Sequence, residues 1–99
     1  MKINEKEYKL ELTGYTLVVY KQEFHRDLFN AIAELDNNID VVAIMEIAWA
    51  FIKSSNNDVP SFNEFAKSIK DITSFLSKET IEEMTNAIRA KRTIEPKKA

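Results

Sequence analysis

Residues 41–52 read VVAIMEIAWAFI, an apolar run that contains one ionisable side chain, Glu46. A membrane-spanning helix needs about 20 apolar residues, and this run is shorter and holds a carboxylate. A helical wheel places Val41, Val42, Met45, Ala48, Trp49 and Ile52 on one side, with Ile44, Ile47 and Phe51 beside them. The run therefore predicts a central core helix over about 40–53, with Asp40 as its cap and Ile39 packed on Ile44 as a hydrophobic staple.

The remaining face of this helix is a narrow strip of small and polar residues, which we call the small-residue strip. It consists of Ala43, Glu46, Ala50 and Lys53, at spacings of three, four and three residues. The simpler interpretation is the thin solvent-exposed edge of a core helix, on which Glu46 is not a buried charge. The alternative is a flat surface that a helix from a partner, or from another copy of the chain, approaches closely. We therefore take these four residues as candidate partner-binding residues.

The composition is that of one globular domain, which we expect to span residues 1–92. Of the 99 residues, 44% are hydrophobic and 30% are charged, a balance that is typical of folded domains and not of disordered chains. The absence of cysteine excludes disulfides and thiolate metal sites. With a formal net charge of −2, the chain as a whole has no field that attracts nucleic acid.

Basic residues are concentrated near the carboxyl end of the sequence. Between residues 87 and 99, Arg89, Lys91, Arg92, Lys97 and Lys98 stand against a single acid, Glu95. Cations in the last turn of a helix interact favourably with the helix dipole. We therefore expect a helix with a basic end, followed by a flexible basic tail over residues 93–99. Contact of this stretch with an acidic protein surface or with nucleic acid is the alternative.

The hydrophobic pattern predicts a mainly α-helical fold with a short amino-terminal β-hairpin and a small bundle of four to five helices. Apolar and charged residues alternate within residues 2–12, where the hairpin is expected. Helices are expected at about 14–24, 26–35, 40–53, 61–72 and 77–92, with Thr13, Ser61 and Ser77 as further caps. The stretch LVVY at 17–20 has high β propensity, so a strand that continues to residue 20 is the main alternative to the first helix.

The sequence contains no recognisable constellation of catalytic or ligand-binding groups. The single histidine, His25, is expected to follow the first helix, at a position that glycine often occupies. The single glycine, Gly14, excludes a phosphate-binding loop or a dinucleotide fingerprint. Acids at residues 79, 82 and 83 complement the dipole of the last helix without acid–base chemistry. We therefore predict that the protein is not an enzyme and has no catalytic, cofactor or metal site.

Large aromatic side chains are numerous for so short a chain. There are six phenylalanines, three tyrosines and one tryptophan, and a domain of this size does not easily bury all of them. Most are expected in the core, and a surplus would form a hydrophobic surface for a protein partner. Phe75 is the strongest candidate, because it lies in a break before Ser77 and not on a clear buried stripe. We therefore add Phe75 to the candidate partner-binding residues.

The order of these aromatic and apolar positions resembles that of a known family. The resemblance is carried by INEKEYKLELT at 3–13, YKQEFHRDL at 20–28, IAWAFIK at 47–53 and VPSFNEF at 59–65. Over about residues 1–90 the chain resembles the tail assembly chaperones of long-tailed bacteriophages and prophages of Gram-positive bacteria. Two positions depart from the family pattern. Glu5 stands where the hairpin turn often has glycine, and His25 stands where glycine often ends the first helix.

The resemblance implies a non-enzymatic assembly protein without cofactors. Such chaperones bind the long, helical tape measure protein and keep it soluble until the major tail protein polymerises around it. They act in the host bacterial cytoplasm and are usually absent from the mature virion. Many are also made as a longer, frameshifted form. The implied partners are the tape measure protein, the major tail protein and further copies of the chain, whereas neither a membrane nor nucleic acid is expected.

Two other functions stay open on the sequence. The basic carboxyl-terminal stretch favours a small helical regulator that binds nucleic acid. A phage structural or connector protein would also lack catalytic groups, and its presence in purified virions would distinguish it from a chaperone.

Overall fold

The computed structural model of the chain describes residues 2, 3, 5–35 and 37–94, with side chains through residue 89. Two short strands and six helical segments follow one another along this part of the chain. Five of the helical segments are at least seven residues long, and they match the five predicted helices in order. The predicted fold class, mainly α with a short amino-terminal hairpin, is therefore confirmed.

The hairpin is shorter than predicted. β1 (Lys2–Ile3) pairs antiparallel with β2 (Lys6–Glu7). Residues 8–12 keep the predicted alternation of burial, which ends at the buried Leu12, but they form no strand. The backbone N–H and C=O of Lys9 are instead bonded to the side-chain amide of Asn56, at 3.1 and 2.9 Å. The amide thus takes the place of a neighbouring strand and ties this segment to the end of the central helix.

α1 (Gly14–Phe24) is the predicted first helix, so the LVVY stretch is helical and the strand alternative is wrong. Thr13 caps it, and the N–H of Thr13 donates to the Oγ1 of Thr16 at 3.0 Å. His25 follows the helix with φ 59°, in the left-handed region, and its N–H donates to the carbonyl of Lys21. The prediction that His25 occupies a glycine-like position is confirmed.

α2 (Leu28–Glu34) begins two residues later than predicted. Its cap is Asp27, whose carboxylate accepts from the N–H of Asn30 at 2.9 Å. Arg26 therefore lies outside the helix, and its guanidinium is paired with the carboxylate of Glu34 at 2.7 Å. The predicted start was wrong because the carboxylate of Asp27 accepts from a free amide of the first turn, and so caps a helix that begins at Leu28.

α3 (Val41–Ser55) is the predicted central helix. Asp40 caps it by accepting from the N–H groups of Val42 and Ala43. From Ala43 to residue 52 every side chain is buried or half-buried, which confirms the core helix.

The first turn of α3 departs from the helical wheel. Val41 and Val42 are exposed, and Ile39 is 72% exposed, so the predicted staple of Ile39 on Ile44 is wrong. The wheel shows which side chains share a face, but only a covering element buries them. α1 packs against the later turns of α3, and the side chains of Val41 and Val42 stay exposed.

The predicted helix over 61–72 is divided in two. α4 (Phe62–Ser68) is capped by Ser61, whose hydroxyl accepts from the N–H of Glu64 at 3.3 Å. Ile69 then has an extended backbone, with ψ 93°, and it ends the helix. Residues 69–71 are therefore not helical, and a single helical turn, α5 (Ile72–Phe75), lies in the gap that was predicted between residues 72 and 77.

α6 (Lys78–Ile94) is the last helix. Its predicted cap, Ser77, accepts from the N–H of Thr80 at 3.3 Å. Met84 is buried and Ile88 is half-buried, so only a thin stripe of this helix faces the core. Residues 93 and 94, which were predicted in the tail, are helical, and the rest of the predicted basic tail lies outside the described residues.

Aromatic rings connect the helices inside the core. The row runs from α1 through α3 and α4 to α5, with ring centroids 5.0 to 6.4 Å apart, and its members are Tyr20, Phe24, Trp49, Phe62, Phe65 and Phe75. Such tilted and edge-on pairs add to the free energy of burial. The rings that the sequence suggested as a surplus are therefore mostly internal, while Tyr15 and Phe29 are exposed.

Candidate functional site: partner-binding surfaces

The small-residue strip is covered by the protein's own first helix. The hydroxyl of Thr16 on α1 lies 2.7 Å from the hydroxyl of Ser54 on α3, and the ring of Phe24, two turns later on α1, packs edge-on against Trp49, which is earlier on α3. Ala50 lies between Glu46 and Ser54 on the same face of α3, and it is completely buried. α1 therefore runs antiparallel to α3 across the strip.

The prediction that the strip is open to a partner is wrong for its two alanines. Ala43 and Ala50 are both buried. The sequence correctly indicated a surface that a second helix approaches closely, but that helix belongs to the same chain. Sequence reasoning missed it because the length of a helix and its wheel do not say which helix packs where.

The two charged members of the strip are half-buried and serve different purposes. The Nζ of Lys53 donates to the carbonyl of Val59 at 3.1 Å, and so holds the loop that follows α3. Burial raises the pKa of Glu46, against the opposing effect of Arg26 and with a further increase from Asp40. Glu46 thus belongs to a polar junction between α1, α2 and α3.

The hydroxyl of Tyr20 lies at this junction. It is buried, and within the described residues no hydrogen-bonding partner reaches it. Burial raises the pKa of Tyr20; Arg26 acts in the opposite direction, and Glu46 and Glu34 act in the same direction. A buried phenol beside the half-buried carboxylate of Glu46 is a cost to stability and offers a partner no accessible group.

Phe75, the fifth candidate residue, is also buried. Its ring packs edge-on against Phe65 at 6.4 Å, and the residue is 7% exposed. The prediction of an exposed Phe75 is wrong, because the break in the pattern contains the helical turn α5, which directs the ring inward. Phe75 nevertheless lines the floor of a groove, which is described below.

An exposed apolar patch lies at the amino end of α3, where the sequence predicted core. It consists of Ile39, Val41 and Val42, which are 72%, 37% and 55% exposed. Ile39 precedes the cap, and Val41 and Val42 are the first two residues of α3, so all three exposed side chains lie within four residues of the chain. We call this the α3 patch. Three aliphatic residues around a capping aspartate are the signal in the sequence, but the wheel assigned Val41 and Val42 to the core, and Ile39 was predicted as a staple on Ile44.

A groove lies between the hairpin and the last two helices, with a volume of about 820 Å³. Its apolar floor includes Ile3, Ile69 and Phe75. We call it the acidic groove, because its lining contains six carboxylates and two lysines, namely Glu5, Glu7, Asp71, Glu79, Glu82 and Glu83 with Lys2 and Lys70. All eight residues are exposed.

The formal charge of the acidic groove is −4, more negative than the −2 of the whole chain. The residues outside the groove therefore carry a net +2. Sequence reasoning noted three of the acids but explained them by the dipole of α6. It missed their grouping because the hairpin acids are about 70 residues away in sequence.

The described part of the chain contains no group of three or more acidic or histidine side chains placed to hold a metal ion. His25 is exposed at the end of α1. Among the helices of the described residues, none has both the length and the apolar character needed to cross a bilayer.

Comparisons of the chain with protein-family models, with curated proteins and with solved structures gave no match.

Proposed function

We propose that the protein is a tail assembly chaperone that binds apolar helical stretches of a phage tape measure protein and keeps that protein soluble during tail assembly. The observation that carries the proposal is the α3 patch, three aliphatic side chains exposed together at the end of an otherwise buried helix. Its support from the sequence is the resemblance described above.

The α3 patch suits this role because of its position and its chemistry. Contiguous exposed apolar surface marks sites of protein interaction. An amphipathic helix binds such a surface through apolar residues that recur every three or four positions. Ile39 and Val42 are three residues apart and are the most exposed members of the patch, so they are its natural contacts.

The direct test is co-expression with the tape measure protein of the phage or prophage that encodes the chain. The fraction of tape measure protein in the cleared lysate is measured with and without this chain. We expect a clear increase, and co-purification of the two proteins. If the soluble fraction is the same with and without the chain, the proposed function is wrong.

Matched variants test the α3 patch itself. Ile39→Asp with Val42→Asp should abolish the increase, because two carboxylates replace the apolar contacts. The control is Tyr15→Asp with Val18→Asp, which introduces the same charges on an exposed face of α1. Circular dichroism and thermal melting check that both variants fold. Equal activity of the two double variants would show that the α3 patch is not the binding surface.

A further inference from the structure

We propose that the acidic groove binds a second class of helical segment, one that carries lysine or arginine beside its apolar face. The inference rests on the proposed chaperone function, in which this segment belongs to the tape measure protein. It adds the chemistry of the partner, which the α3 patch does not define.

The shape of the acidic groove fits a short helical segment. Its volume of about 820 Å³ lies within the size range of binding clefts. On the α6 side the lining runs from Glu79 to Asn86. These eight residues of helix extend over about 10 Å, or two turns, which is enough to accompany two turns of a bound helix.

The charge of the groove selects a basic occupant. Carboxylates come from the hairpin, from the turn before α5 and from α6, so any segment in the groove has acids on more than one side. Six carboxylates against two lysines leave the cleft with an excess of negative charge, and such an excess raises the local concentration of the opposite charge. A neutral or acidic helix would lose the hydration of these carboxylates without compensation.

The apolar floor favours lysine and arginine over a metal ion. The aliphatic stems of these side chains can lie on Ile3, Ile69 and Phe75, while their charged ends reach the acids of the walls. A metal ion would need several carboxylates to converge on one point. Within the described residues no such group is present.

The test uses two synthetic helical peptides with the same apolar face, one with lysine and the other with glutamate on the polar face. Binding to the full chain is measured by fluorescence anisotropy at several salt concentrations. We expect the lysine peptide to bind with an affinity that decreases as the salt concentration increases. The glutamate peptide should not bind. Equal binding of the two peptides would overturn the inference.

Charge reversal on both walls locates the site. Glu5→Lys with Glu82→Lys should lower the affinity for the lysine peptide by roughly tenfold or more. The matched control, Glu23→Lys with Asp58→Lys, changes the net charge equally at exposed positions outside the groove, and it should retain most of the affinity. Equal losses in the two variants would mean that net charge alone attracts the peptide, and the groove would be excluded.

The outcome can be separated from that of the proposed function. If the chain solubilises the tape measure protein and the groove variant does so equally well, the inference is wrong and the function stands. If the chain does not solubilise that protein, the peptide measurements still decide whether the groove binds basic helices. Analytical ultracentrifugation tests the remaining candidate occupant of the groove, which is a second copy of the chain. Self-association that the groove variant abolishes would assign the groove to the basic end of a second copy, and would overturn the inference.

Discussion

The hydroxyl of Thr16 on α1 lies 2.7 Å from the hydroxyl of Ser54 on α3, in the interior of the bundle. Thr16 is completely buried and also accepts from the N–H of Thr13. A single hydroxyl thus joins the start of α1 to the end of α3, and it fixes how the two helices lie on each other.

Replacement of Thr16 by valine tests this link. The volume is conserved, but the N–H of Thr13 and the hydroxyl of Ser54 lose a partner. We expect Thr16→Val to lower the free energy of unfolding by about 1–3 kcal/mol, the cost of unsatisfied buried polar groups. This decrease is measured by urea unfolding, which is monitored through the fluorescence of Trp49. Thr73→Val, at an exposed position, is the control, and an equal effect of both would show that the link contributes nothing.

Ala50→Leu tests whether the small-residue strip is interior. Three extra carbon atoms have no room beneath α1, so we expect a loss of about 1–3 kcal/mol in the free energy of unfolding. Ala33→Leu, at an exposed site on α2, should change it by less than about 0.5 kcal/mol. A stable Ala50→Leu protein that no longer binds its partner would instead restore the strip as a binding surface.

Glu46→Gln should make the protein more stable near neutral pH. Because burial raises the pKa of Glu46, the folded state holds its proton more tightly than the unfolded state, where the pKa is near 4.5. The stabilisation that protonated Glu46 contributes is therefore fully present below that pH, and it is lost as the pH rises through the pKa of the folded state.

The measurement is urea unfolding at pH 4 and at pH 7. The increase in the free energy of unfolding caused by Glu46→Gln should be greater at pH 7 than at pH 4. Glu23→Gln, at an exposed site on α1, should show no such difference between the two pH values. A gain that is independent of pH would contradict the burial of the charge.

His25→Gly should also stabilise the fold. A left-handed backbone costs a non-glycine residue about 1–2 kcal/mol, and the greater chain entropy of glycine offsets part of the relief. We expect a net increase of roughly 0.5–1 kcal/mol in the free energy of unfolding. His25→Ala keeps the strain and should give no increase. If the alanine variant were as stable as the glycine variant, the histidine ring and not the backbone would be the source of the strain.

Caps and local periodicity were predictable from the sequence. Asp40, Ser61 and Ser77 form the predicted bonds to backbone amides, because a cap and its amides are only two or three residues apart. The helical state of LVVY was the harder case. Thr16 and Tyr20, four residues apart and both buried, place the buried face at helical spacing, and this tertiary burial overrides the β propensity of the stretch.

The candidate surfaces were not predictable in the same way. A wheel reports the direction of a side chain around its own helix, so Val42 and Ala48 were given the same environment. Only the position of α1 over α3 distinguishes them: Ala48 is buried and Val42 is exposed. The acids of the hairpin and of α6 likewise meet only through the fold.

The sequence by itself determined the fold class, the order of the five longer helices and the caps Asp40, Ser61 and Ser77, because these depend on contacts between near neighbours in the chain. The tertiary structure alone decided which side chains of VVAIMEIAWAFI are buried: Ala50 lies under α1, whereas Val41 and Val42 are exposed. It also decided that Phe75, which follows much later in the chain, points inward. Burial depends on which distant segment covers a face, and helix periodicity carries no information about that segment.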